Sequence, residues 1–319
     1  MSPKKAGGLF FLIIVLHLAA ELLLGAASER NPAVLDLVPS TLISEGLILW
    51  PMLIFALLTP ADFSQMLPMR GIGHGNIVRA VLLVVCAYPS ILLANSLSML
   101  FVDNTVEQMS GEILRTPFPV TLILIGIFGP VCEELVFRGY LFRSFRSAGS
   151  VCTSVLLSAF LFGLMHLNLN QAMYAFAMGI FLALAADACG SLCPAILMHI
   201  LFNSFEVCLL YLTASADTSG LTGALTEADS GAMTMQDFAM TAVFAAAGIA
   251  GAVFLIRGMK RSTGRRTAVQ KPDAGITAVS ADRPAPSFLL ILGIIISIIT
   301  IILNSRVYFL TTPVIHPFC

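Results

Sequence analysis

Charge is scarce in this sequence. Only 11% of its 319 residues are Asp, Glu, Lys or Arg, against about 25% in ordinary soluble domains. With 58% hydrophobic residues and a mean hydropathy of +0.93, the composition excludes a soluble globule and describes a polytopic membrane protein. The formal net charge of −1 says nothing about partners, and nothing in the sequence supports nucleic-acid binding. Other absences narrow the chemistry. No C-x-x-C joins any of Cys86, Cys132, Cys152, Cys189, Cys193, Cys208 and Cys319. Cys189 and Cys193 share a helix face, but no His or carboxylate at ligand spacing completes a zinc site. The cysteines read as free thiols in apolar helices, and no metal or other cofactor is expected. H-E-x-x-H and G-x-S-x-G are missing, which removes the usual zinc protease and the serine elbow. No aspartate lies mid-span, since Asp187 falls at a helix end, so an aspartyl pair is excluded. Gly71-Ile72-Gly73-His74-Gly75 follows no strand and lacks a phosphate-loop Lys, so it reads as a turn. No internal repeat is visible.

What is present is a series of apolar runs of the length that crosses a bilayer, about 20 residues each. They lie near 8–26, 41–58, 80–101, 118–142, 151–167, 171–186, 192–212, 238–256 and 288–303. The fold class that follows is an all-α polytopic transmembrane bundle of about eight or nine membrane helices. Lys4 and Lys5 before the first run, with Ala26-Ala27-Ser28 after it, resemble a signal peptide. The run is long for a signal core and carries His17 and Glu21, so a retained first helix is expected. With the N-terminus inside, the inner segments carry Lys4, Lys5, Arg70, Arg79, Arg143, Arg146, Arg257, Lys260, Arg261, Arg265, Arg266, Lys271 and Arg283. The outer ones carry Arg30, Arg115 and Arg306, so the balance predicts a cytoplasmic N-terminus. Residues 213–236 read as an external loop. Residues 257–286 read as a flexible basic cytoplasmic linker, positioned by the positive-inside bias or by anionic headgroups. Three regions result: N-terminal helices and a cytoplasmic loop over 1–79, a core over 80–212, and over 213–319 the external loop and two further helices. The last span reads as an anchor peripheral to the chemistry.

The exceptions to the apolar rule carry the functional signal. Ionisable groups inside a membrane are costly and are kept mainly where they act. Glu133, Glu134 and Arg138 sit in the fourth run, His166 follows Phe162 at four residues, and Asn203 follows His199 at four. Gly129-Pro130 precedes the glutamates and predicts a kink or a fresh helix start. Glu133 and Glu134 lie roughly 100° apart around a helix axis. Glu134 and Arg138 share a face and neutralise each other, which leaves Glu133 chemically free. A desolvated carboxylate is a better base toward water than a hydrated one. His166 is the candidate to position that water, with Phe162 walling the site. His199 and Asn203 offer N–H donors to an oxyanion. Each piece also has a plain structural reading: a buried ion pair, a core histidine capping a helix near Asn168 and Asn170, and interhelical glue. His17, Glu21, Glu45, Asn95 and Glu206 read as packing glue or cavity lining. A straight-helix count sets Glu133 about 15 Å from Arg143 and His166 about 24 Å from Ser150. The site therefore closes only if helices tilt or the fourth breaks at Pro130.

Glu-Glu-x-x-x-Arg, Phe-x-x-x-His and His-x-x-x-Asn, in this order on consecutive spans, resemble the CPBP family of intramembrane proteases. That family includes type II CAAX prenyl endopeptidases and bacterial proteins linked to bacteriocin processing and self-immunity. Pro130 and Phe137-Arg138-Gly139 fit it as well, and the resemblance spans roughly 80–212. It implies that Glu133 and His166 activate water, that His199 and Asn203 stabilise the oxyanion, and that Glu134 and Arg138 support the site. The family is often labelled a metalloprotease, but the sequence offers no zinc set. The expectation is an intramembrane endopeptidase, multi-pass in a prokaryotic-type plasma membrane, acting on a membrane-associated or lipidated peptide with the lipid bilayer as its surroundings. The alternative is a non-enzymatic membrane protein, either a proton-coupled transporter using the same Glu and His or an immunity factor acting by binding. Inverted repeats would favour the transporter, and none is seen.

Overall fold

The computed structural model describes residues 2–58, 67–216, 234–269 and 287–307. Most of the loop expected at 213–236, the stretch 270–286 of the basic linker, and Cys319 lie outside these residues.

The described chain is helical throughout. Helix α1 spans Pro3–Ser28, α2 Leu37–Leu57, α3 His74–Ser98, α4 Thr105–Arg115 and α5 Phe118–Arg146. Helix α6 spans Val151–Met165, α7 Leu169–Cys189, α8 Cys193–Ala216, α9 Met235–Val269 and α10 Phe288–Val307. Among the described residues, eight of these are long and apolar enough to cross a membrane, all except α4 and α6. The chain is a multi-pass membrane protein with the all-α bundle its apolar runs predict. Six cysteines are described and all six are unpaired.

Three elements depart from the sequence reading. Helix α6 stops at Met165, where His166 bonds back to Gly163 and Leu164; at fifteen residues it is shorter than the eight spanning helices. Helix α4 was invisible to a search for apolar runs because it is amphipathic. It buries Thr105, Met109 and Ile113 on one stripe and turns Glu107, Gln108 and Glu112 outward. Helix α9 runs on through the basic segment to Val269, so the first part of the expected linker is helix. Arg and Lys are good helix formers, and nothing between Arg257 and Val269 breaks the turn.

Local chemistry sets the helix ends around the future site. Ser150 caps α6 by accepting from the Thr153 amide at 3.1 Å, and Asn168 caps α7 by accepting from the Gln171 amide at 2.8 Å. Gly190 closes α7 in the left-handed region at φ +59°, where a side chain would be strained. Helices α5 and α7 bury the largest share of their length and form the centre, while α9 buries the least. Trp50, Leu57, Val85, Phe254 and Ile299 stay exposed on the outside, the surface that lipid would cover.

Helices approach closely where side chains are small, as membrane packing without a hydrophobic driving force requires. Gly248 of α9 lies directly against the backbone carbonyl of Cys86 on α3, and Gly251 faces the Cys86 thiol one turn on. A Cβ at position 248 would collide with that carbonyl. Gly248→Leu is therefore expected to destabilise the fold by about 1–3 kcal/mol, read as a lower thermal unfolding midpoint in detergent.

Candidate active site

The glutamates are carried by a helix that widens instead of breaking. Pro130 has no N–H, so the carbonyls four and five residues back, Gly126 and Ile125, lose the donor it would have supplied. Helix α5 answers with a stretch of wide π-turns over Leu122–Phe128, in which the Gly129 amide reaches back to Leu124. Neighbouring α8 supplies the missing donors. The Asn203 amide donates to the Ile125 carbonyl at 3.3 Å, and the Ser204 hydroxyl to the Gly126 carbonyl at 3.3 Å. The expected kink or restart at Pro130 is thus replaced by a continuous helix, because side chains re-satisfy the freed backbone. A regular turn, Gly129–Glu134, follows and holds both glutamates. A second π-stretch, Leu135–Leu141, carries Arg138, and the Ser158 hydroxyl of α6 donates to its Phe137 carbonyl at 3.1 Å. Wide turns of this kind concentrate at functional sites.

The ionisable side chains meet between α5 and α8. The Arg138 guanidinium donates from Nη1 to Glu134 Oε1 at 2.6 Å, and both side chains are fully buried. On the other side of Glu134, His199 Nδ1 stands 2.9 Å from the same Oε1. Its Nε2 stands 3.4 Å from Glu133 Oε2. One imidazole therefore spans both carboxylates, and Glu133 is not free of partners as the sequence suggested. Two carboxylates against one guanidinium leave one negative charge, balanced when a proton resides on His199 or Glu133.

Phe162 forms the floor that joins these groups to His166. Arg138 lies over its ring, with Cζ 4.3 Å from the centroid. His199 and His166 meet the ring edge-on at 5.8 and 5.2 Å, and Phe137 packs at 5.1 Å. His166 Nδ1 bonds the Phe162 carbonyl at 2.9 Å. A carbonyl only accepts, so Nδ1 carries the proton and Nε2 presents its lone pair. The depth conflict of the straight-helix count closes in the fold, where His166 and His199 meet the same Phe162 ring and His199 reaches Glu133.

The turn after His166 is pinned by residues the sequence did not single out for the site. Leu167 has φ +53°, a conformation rare for leucine. Its carbonyl accepts from Asn304 of α10 at 2.9 Å, and the Asn168 amide donates to the His166 carbonyl at 3.1 Å. Asn168 and Asn170 also accept from the Thr105 hydroxyl and amide, and Asn170 reaches Asn95 and Ser98 on α3. Helix α10, expected to be peripheral, thus holds the residue beside His166. The signal was present as an asparagine inside an Ile-rich span, but its partner lay 137 residues away. Asn95 acts as interhelical glue, as read from sequence, and so does His17, whose Nε2 lies 3.4 Å from the Ser44 hydroxyl. Among the described residues, no three His, Cys, Asp or Glu side chains converge as metal ligands.

The predicted residues fall into two sets. Glu133, Glu134, Arg138, Phe162, His166 and His199 form one contiguous cluster. Asn203 sits one turn from His199 on the same face of α8, where its amide is turned toward the α5 backbone.

Comparison with known proteins meets this geometry. Residues 115–205 match the family model described as type II CAAX prenyl endopeptidase Rce1-like. Over 89 residues, 28% of this chain, the sequence is 28% identical to a Bacillus subtilis protein named "Putative membrane peptidase YdiL". The matched region spans 36% of that relative's length. No solved structure matches. The matched segment holds both glutamates, Arg138, Phe162, both histidines and Asn203, and over it this chain is similar to the Rce1-like type II CAAX prenyl endopeptidases.

Proposed function

We propose that this protein is an intramembrane endopeptidase that hydrolyses a peptide bond of a membrane-associated or lipidated substrate with directly activated water. The observation that carries the reading is the His199 imidazole held between two buried carboxylates, with a second imidazole across the same phenyl ring. Glu133 takes a proton from water while His166 Nε2 accepts the water's other hydrogen bond. The hydroxide adds to the carbonyl carbon, and negative charge moves to the carbonyl oxygen. Protonated Glu133 holds His199 less strongly, so the Nε2–H turns to the oxyanion, a change that favours the transition state over the ground state. The second N–H of the Asn203 amide donates beside it. As the C–N bond breaks, Glu133 returns its proton to the leaving amine. Glu134 and Arg138 keep the centre neutral and oriented. A cytoplasmic N-terminus, following the Lys and Arg balance, and a plasma-membrane location complete the reading.

The test compares the membrane proteome of a wild-type strain with that of a His166→Ala strain. The expected result is one or more uncut precursors accumulating in the variant, with new N-termini lost. Identical proteomes with the variant protein present at normal level would overturn the reading, and proton-coupled solute uptake by the purified protein in liposomes would replace it with a transporter.

A further inference from the structure

Glu45 of α2 lies outside the matched segment, and the proposed chemistry does not use it. Its side chain is 5% exposed, and Oε2 has no hydrogen-bond partner among the described residues. Thr41, one turn earlier on the same face, is 3% exposed and its hydroxyl is equally unpartnered. Helix α2 packs against the turn of α5 that carries Glu133. Contact at this point depends on Gly129, since a Cβ there would stand 3.1 Å from Glu45 Oε1 and 3.7 Å from Cδ. Cys132 and Glu133 belong to the same turn, Gly129–Glu134, against which α2 packs. Glu134 Oε2 is a further buried oxygen without a partner on the same turn.

Buried polar atoms are rarely left unpaired, and each such group calls for an explanation. Packing glue does not explain these oxygens, because glue is hydrogen-bonded. A carboxyl group out of water with no cation beside it is most cheaply kept with its proton. A proton on Glu45, and a water shared by Thr41 Oγ1, Glu45 and Glu133, satisfies both α2 side chains with ordinary hydrogen bonds. A reaction that consumes water inside a bilayer also needs a place where water is held.

We infer that Glu45 is a third carboxyl of the centre, a proton-bearing positioning residue that, with Thr41, holds the reacting water against Glu133. The inference rests on the hydrolase reading and extends it to α2. It adds no covalent step, since Glu45 keeps its proton through the cycle.

The test is kinetic, on purified full-length protein in liposomes with a cleaved precursor peptide. Glu45→Met fills the same volume without a polar atom and is expected to lower kcat by about 10²-fold with KM unchanged. Glu45→Gln keeps a neutral donor and is expected to bring kcat back within about threefold of wild type. Thr41→Val and Thr41→Ser read the same pocket without touching the carboxyl: Val lowers kcat and Ser restores it. A fold-intact Met variant with wild-type kcat, or a Gln variant as slow as Met, would overturn the inference and leave the hydrolase reading standing. A Thr41→Val variant with wild-type kcat would overturn it too. Absence of any Glu133-dependent cleavage by wild type would remove the hydrolase reading and this inference with it.

Discussion

Glu133→Gln is expected to lower kcat for peptide cleavage by about 10²–10⁴-fold, with KM within about threefold of wild type and the fold intact. The side chain keeps its size, and its amide can still pair with His199 Nε2 across the 3.4 Å gap. What disappears is the base. The loss should appear in kcat and kcat/KM together, because a base acts in the transition state and adds little to substrate binding. The neighbouring carboxylate gives the contrast. Glu134 accepts from Arg138 and meets His199 with the same oxygen. Glu134→Gln is thus expected to cost stability as well as activity. The kinetics of purified variants, read beside their unfolding midpoints, separate the two roles.

Arg138→Met is expected to destabilise the folded protein by about 3–5 kcal/mol, measured by thermal or denaturant unfolding in a fixed detergent. Methionine roughly conserves volume, so the cost comes from leaving the Glu134 carboxylate buried without its cation. Two further variants check that origin. Arg138→Lys restores a charge but not the flat guanidinium that lies over Phe162, so it recovers part of the stability. Pairing Arg138→Met with Glu134→Gln removes both charges and is expected to be more stable than Arg138→Met alone. The difference from additivity reports the coupling of the pair.

Much of the fold was legible because lipid imposes one demand on sequence, an unbroken apolar run, and among the described residues eight helices meet it. Helix α4 escaped because its pattern is amphipathic. The length of α9 escaped because basic residues that mark a membrane boundary also extend a helix. The cluster Glu133, Glu134, Arg138, Phe162, His166 and His199 was legible for the opposite reason, as the costly exceptions inside apolar runs. Their pairing was less so. Spacing gave the Glu134–Arg138 bond, since both lie on one helix. It did not place His199 between the glutamates or turn the Asn203 amide to the Ile125 carbonyl, because those contacts join α8 to α5 across 65 and 78 residues. The widening of α5 ahead of Pro130 was hidden too. Proline announces a disturbed turn, but whether the helix breaks or swells depends on donors from a neighbour that local sequence does not reveal. Glu45 and Asn304 look like any polar residue in a span until the fold sets one beside Glu133 and the other beside His166.

Water activation by Glu133 is tested most directly by mass spectrometry of a membrane-precursor peptide panel incubated in H2¹⁸O with liposomes carrying either wild type or Glu133→Gln. The predicted result is new C-terminal carboxyl groups bearing one ¹⁸O with the wild type, and these products reduced to background with the variant. Equal cleavage by the two proteins would contradict it.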